Sequence, residues 1–257
     1  MEPTRVLYQA SHGIAVLTLN HPSKRNALSR ALLGELNRHL QTIAAGHGVG
    51  AVILRAAGPV FSSGHDLREL LAADEPTQRS LFALCTEVME RIRLLPQPVI
   101  AQVQGLATAA GCQLAATCDL VVAADIATFA TPGVKIGLFC TTPGVALARA
   151  VGPKKAMEML LTGRAISAAE AERAGLVNRV VSPDRLEPET LALARQILAA
   201  SSYVIGLGKR AFYAQAALDR PAAYDLAQRA MVENCQAADA REGMTAFLAK
   251  RQPRWSR

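Results

Sequence analysis

The sequence predicts a mixed α/β core over residues 1–183 followed by a helical C-terminal region over residues 184–257. Three observations predict it. Short apolar runs at 51–55, 99–103, 120–124 and 177–181 have strand length and alternate with stretches of helical apolar spacing. Beyond Pro183 the pattern is helical almost to the end, and alanine is plentiful. The chain has 257 residues, 51% apolar and 19% charged, which is ample for a buried core and too apolar for disorder. It shows no linker, charge block, low-complexity tract or clear repeat.

Residues 5–10 and 14–20 read as two strands around a His12–Gly13 turn. Ser29 caps a helix reaching Gly46, with Leu32, Leu33, Leu36, Leu40 and Ile43 at helical spacing. The buried strand at 51–55 leads into a Gly/Ser-rich loop, Gly58 to Gly64. Leu81, Leu84, Val88, Ile92 and Leu95 mark one face of a helix that stops before Pro96 and Pro98. Strand 99–103 runs into the small-residue turn Gly105–Gly111, and an apolar helix continues to Cys118. Strand 120–124 follows. Ser167-Ala-Ala-Glu170 is a capping box, and Gly175 closes its short helix. Strand 177–181 ends the mixed region, and Pro221 suits a first helical turn.

Basic residues outnumber acidic ones by 28 to 21, a net charge of +7 that suits an anionic ligand. No apolar run reaches the ~20 residues of a membrane span. Glu2, Pro3, Thr4 and Arg5 do not resemble a secretory leader, so the expected compartment is the cytoplasm. For a processed eukaryotic chain it is the mitochondrial matrix. The five cysteines (85, 112, 118, 140 and 235) contain no C-x-x-C pair, and the five histidines contain no His-x-x-x-His pair. No disulfide or metal framework is expected.

Ser62, Ser63, His65 and Asp66 stand together, but consecutive residues point apart, and a hydrolytic triad must converge in space. A G-x-S-x-G elbow is absent as well. The better use of this segment is its backbone: a Gly-flanked turn entering a helix offers unpaired N–H groups, with Asp66 as the cap. Gly105–Gly111 is a second strand-to-helix turn of this kind, without the G-x-G-x-x-G spacing of a dinucleotide site. The two turns lie about 45 positions apart and could each supply one N–H to a thioester carbonyl.

At this point the chain resembles the enoyl-CoA hydratase/isomerase (crotonase) superfamily over nearly its full length. The resemblance rests on His21-Pro-Ser-Lys-Arg-Asn-Ala-Leu28, Phe61-Ser-Ser-Gly-His-Asp-Leu67 and Gly105–Asp119. Phe129-Ala-Thr-Pro132, Ala150–Pro153, Leu161–Gly163, Ile166–Ala171, Ala174–Val177 and Phe247-Leu-Ala-Lys250 continue it. Phe61–Leu67 and Gly137–Ala150 carry a narrower match to one branch.

The resemblance implies a crotonase (ClpP-like) spiral of ββα units and a helical C-terminal trimerisation region that builds homotrimers or homohexamers. It implies an acyl-CoA thioester ligand of fatty-acid metabolism, with coenzyme A entering as part of the substrate and no resident cofactor. The backbone N–H groups of His65 and Ala110 would form the oxyanion hole. Lys24, Arg25 and Ala27 would approach the CoA nucleotide, and Ser63, Asp66 and Leu67 the adenine and pantetheine. Phe247 and Lys250 match a tail that reaches a neighbouring subunit's CoA.

Where hydratases of this family carry two glutamates, this chain has Gln113 and Gly133. Gln113 cannot act as a general base, and Gly133 has no side chain; a positive φ at Gly133 would resist restoring one. The carboxylate of the isomerases, expected around Leu138–Thr142, is absent. Decarboxylase relatives share Gly-His-Asp but add a tyrosine near the position of Cys140. Three readings follow: a nominal hydratase/isomerase with weak hydratase activity, a non-catalytic acyl-CoA binder, and a decarboxylase-like enzyme using His65. RNA binding, which one branch performs with a lysine-rich first helix, is not expected, since residues 29–46 hold Arg30 and Arg38 and no lysine.

Overall fold

A computed structural model describes residues 4–256. The leader reading at Glu2 and Pro3 lies outside the described residues. In chain order the elements are β1 (Val6–Ser11), β2 (Ile14–Leu19), α1 (Arg30–Ala45), β3 (Ala51–Ala56), β4 (Val60–Ser62), α2 (Leu67–Ala72) and α3 (Glu75–Leu94). They continue with β5 (Val99–Val103), β6 (Leu106–Thr108), α4 (Ala110–Thr117), β7 (Leu120–Ala124), β8 (Thr128–Ala130), α5 (Thr141–Val151) and α6 (Pro153–Thr162). The last are β9 (Ile166–Ser167), α7 (Ala168–Arg173), β10 (Arg179–Val181), α8 (Leu186–Leu198), α9 (Ser202–Gln215), α10 (Arg220–Gln236) and α11 (Ala238–Leu248).

Two sheets form. The larger has the order β1-β2-β3-β5-β7-β10, with β1 and β2 antiparallel and the rest parallel. The smaller has the order β4-β6-β8-β9. The chain repeats one move three times: a strand of the large sheet, a three-residue strand of the small sheet, then a helix. β3–β4, β5–β6 and β7–β8 make those steps. The sequence shows no clear repeat because Val-Phe-Ser, Leu-Ala-Thr and Thr-Phe-Ala are too short to carry a period. For the same reason the expected loops 58–64 and 105–111 prove to contain β4 and β6.

Other boundaries move as well. The helix expected from Leu81 starts at Glu75, where Asp74 accepts from the Thr77 N–H. The strand expected from Val177 starts at Arg179. Ser29 and Ser167 cap α1 and α7 as their patterns predict.

The large sheet is buried on both faces, which accounts for its continuous apolar runs. Val52, Leu54, Ala101 and Val121 face the main core with α1 and α3, while their neighbours Ala51, Ile53, Ile100 and Val122 face α8 through Leu186 and Ala194. α8 thus closes the sheet, although it lies beyond residue 183. α9 is pinned to the core by Asp119, which receives the Lys209 ammonium at 2.6 Å, the Tyr213 hydroxyl at 2.8 Å and the Val99 N–H at 2.7 Å. α10 buries no residue in the single chain. No single helix among the described residues is long and apolar enough to cross a membrane.

Candidate functional site

The site is built from the ends of β4 and β6, neighbouring parallel strands of the small sheet. Each stops, turns and enters a helix. Glycines let the two turns meet. A Cβ on Gly111 would lie 2.4 Å from the Ser62 carbonyl oxygen, so only glycine fits. Gly64 has φ +85°, and a Cβ there would lie 2.9 Å from Ala109 Cβ and 3.1 Å from Ala110 N. His65 follows Gly64, and the first turn is thereby pressed against the second.

The N–H groups of His65 and Ala110 donate to no group among the described residues. Ala110 is the first residue of α4, where a free N–H is the rule and the helix dipole favours negative charge. Ala109 before it holds φ +51° and ψ −121°, a conformation alanine rarely adopts. Its N–H donates to Ala130 O at 2.9 Å and its carbonyl accepts from Gln113 N at 3.0 Å, which hold it there.

A third segment braces the first turn. Pro22–Lys24 form a short 3-10 turn, after which Arg25 and Asn26 both take left-handed φ. Asn26 is fully buried; its Oδ1 accepts from His21 N, and its Nδ2 donates to Ala57 O and Val60 O at 2.9 and 2.7 Å. Ser62 Oγ donates to Asn26 O, Ser63 N to Arg25 O and Leu28 N to Gly64 O. Lys24, Arg25 and Ala27 are thus stitched beside Ser63 and Asp66, the two cations exposed and Ala27 buried. Asp66 caps α2 by accepting from Arg68 N at 2.9 Å, and Leu67 stands half exposed beyond it.

The His65 ring is held apart from its own N–H. Its Nδ1 lies 3.2 Å from Leu28 O, a pure acceptor, so Nδ1 carries the proton and donates. The ring meets the edge of Phe82 with centroids 5.2 Å apart, and Nε2 is buried without a partner. Burial lowers the pKa of His65 below its ordinary value, so the ring is neutral at pH 7.

The two positions of the absent glutamates differ from each other. Gln113 lies on the first turn of α4, is 6% exposed, and its Oε1 has no partner. Gly133 lies in the 3-10 turn Pro132–Ile136 and does not have positive φ, against the expectation from sequence. What excludes a side chain there is space: a Cβ would sit 2.6 Å from Leu138 O and 2.8 Å from Cys140 Sγ. The Leu138 N–H donates to Gly133 O at 2.9 Å and holds the loop in that place. Burial pushes the Cys140 thiol up and the Cys112 thiol up to about 12, so neither is a thiolate at pH 7.

Phe247 and Lys250 are not brought to this site by their own chain. They stand at the exposed end of α11, which packs on α9 and α10. No group of three or more His, Cys, Asp or Glu lies together among the described residues. Sequence reasoning quoted Asn26 and Ser62 within motifs but gave them no role. An asparagine ahead of a strand-length gap was the available signal, since Asn tolerates the left-handed region. Nothing in the sequence marked Phe82 or the strained Ala109.

Comparison with known proteins gives the same picture. The family model described as "Enoyl-CoA hydratase/isomerase" matches residues 9–257. The chain is 50% identical over 251 residues to enoyl-CoA hydratase domain-containing protein 3, mitochondrial, of Danio rerio, covering 97% of this chain and 87% of that protein. The crystal structure of the human enoyl coenzyme A hydratase domain-containing protein 3 is 49% identical, with TM-score 0.93 over 98% of this chain and 100% of the other. An enoyl-CoA hydratase structure from Mycobacterium smegmatis is 47% identical, with TM-score 0.96 over 98% and 99%.

Proposed function

The chain belongs to the enoyl-CoA hydratase/isomerase family, and from that premise we propose that it binds an acyl-CoA thioester and polarises its carbonyl without the machinery to add water efficiently. The observation that carries this reading is the contrast within one site: two free N–H groups on facing turns, and no carboxylate at residues 113 and 133.

The thioester oxygen sits between the N–H groups of His65 and Ala110. Negative charge grows on that oxygen as a nucleophile adds or a proton leaves the neighbouring carbon. Fixed donors stabilise it; comparable sites lose about 3 kcal/mol when one donor is removed. Lys24 and Arg25 meet the phosphates of the CoA head at the exposed rim. Ala27, Ser63, Asp66 and Leu67 flank the path between head and thioester. The exposed apolar residues of α10 and α11, among them Tyr224, Met231, Val232 and Phe247, are covered by further copies of the chain in a homotrimer or dimer of trimers. In that assembly Phe247 and Lys250 reach a neighbour's CoA.

Addition of water needs a base to take a proton from water and an acid to deliver one to carbon. Gln113 can do neither, and Gly133 lends no group. His65 carries the second reading, a decarboxylase-like reaction, because Nε2 is buried, unprotonated and unpartnered. Loss of carbon dioxide generates the enolate by itself, and one nearby group then has to supply a proton.

A screen of acyl-CoA thioesters by calorimetry and mass spectrometry separates the readings. Binding heats without mass change support the proposal. A mass gain of water at the rate of a two-glutamate relative contradicts it, and loss of carbon dioxide from malonyl-CoA moves the assignment to the second reading.

A further inference from the structure

A buried amide oxygen without a hydrogen-bond partner is costly unless something supplies that partner. Gln113 Oε1 is such an atom, on a residue 94% buried. Helical side chains lean back over the preceding turn. Gln113 therefore leans over Ala109 and Ala110, toward the free Ala110 N–H. A second unsatisfied group stands close by along the backbone. Gln113 N donates to Ala109 O, Ala109 N donates to Ala130 O, and the next residue, Thr131, is fully buried with its Oγ1 unpartnered.

We propose that Gln113 is a specificity residue whose carboxamide hydrogen-bonds a neutral hydroxyl on the acyl chain near the thioester, so that the ligand class is a hydroxy-substituted acyl-CoA. The assignment rests on the acyl-CoA reading above and adds the acyl group to it. A hydroxyl both donates and accepts, and so meets a carboxamide in either orientation. A carboxylate in the same place would be buried without a counter-charge. On the flanking turns the His65 ring is neutral and tied to Leu28, and Lys135 lies along Gly163, its Cε 3.2 Å from where a Cβ there would stand. A plain alkyl chain would leave Gln113 Oε1 unsatisfied.

Calorimetry on the full-length protein tests this with butyryl-CoA, both enantiomers of 2-hydroxy- and 3-hydroxybutyryl-CoA, and malonyl-CoA. At least one hydroxy ligand is expected to bind about fivefold or more tighter than butyryl-CoA, the size of one net hydrogen bond. Gln113→Met, which keeps the volume and removes the amide, is expected to bring that ratio to about one. Equal affinities in the unaltered protein overturn the proposal, and this comparison needs no variant to fold. A ratio that survives Gln113→Met, or malonyl-CoA binding tightest of all, also overturns it. If butyryl-CoA itself fails to bind, the acyl-CoA reading falls, and this proposal with it.

Discussion

The two halves of the candidate site are made differently. At the turn half, Gly64, Gly111, Asn26, Ser62 and the strained Ala109 hold two backbone amides free. At the other half, one family glutamate is an amide, and the place of the second is filled by Leu138 O and Cys140 Sγ. The difference teaches that carbonyl polarisation and proton transfer are separable. The first is carried by backbone and depends on the fold. The second is carried by two side chains and can be lost while the fold persists.

The largest effect should come from trying to make the halves alike again. Gly133→Glu is expected to cost about 3 kcal/mol of stability or more, because its Cβ meets backbone that is itself hydrogen-bonded. Gln113→Glu has no such obstacle and should fold. Denaturant unfolding of the two variants checks the contrast, and a Gly133→Glu protein as stable as its parent would break it.

On the turn half, Asn26→Ala removes a buried side chain making three hydrogen bonds, for which about 2–3 kcal/mol is expected. Thioester affinity should fall with it, since Ser63–His65 lose their brace. Loss of stability without loss of affinity would show that the turn holds its shape unaided.

At the rim the effects shrink. Replacing Lys24 and Arg25 together with Ala should weaken CoA thioester binding several-fold in dilute buffer, less at high salt, and leave unfolding unchanged. Equal affinity at every salt concentration would place the CoA head elsewhere.

The smallest effect is a pH dependence. Burial depresses the folded pKa of His65 below its ordinary value of about 6.5. Above 6.5 both folded and unfolded rings are neutral, so no stability is lost there. As pH falls below 6.5 the unfolded ring takes up a proton first, and the folded state loses stability until its own pKa is reached. His65→Gln should flatten that part of the stability–pH curve, and an unchanged slope would assign it to another group.

The sequence made the polarising half legible and left the other half obscure, for a physical reason. Gly64, Gly105, Gly111 and the capping Asp66 are local signals, readable from neighbours along the chain. The long strands and α1 were legible because their apolar spacing runs for several residues. β4, β6 and β8 span three residues each, too few to show a period. The closure over Gly133 joins residues five and seven positions apart through a backbone loop, and no residue type announces it. Sequence therefore suggested a φ constraint at Gly133 where the structure has a packing one.

The central claim is that the carbonyl is polarised while water is not added. An infrared difference spectrum of crotonyl-CoA bearing a carbon-13 thioester carbonyl, bound to excess protein, reads both at once. The account predicts a carbonyl band moved to lower frequency, with the enoyl double bond persisting long after a two-glutamate relative would have consumed it. An unshifted carbonyl band, or rapid loss of the double bond that Gln113→Ala does not slow, would contradict it.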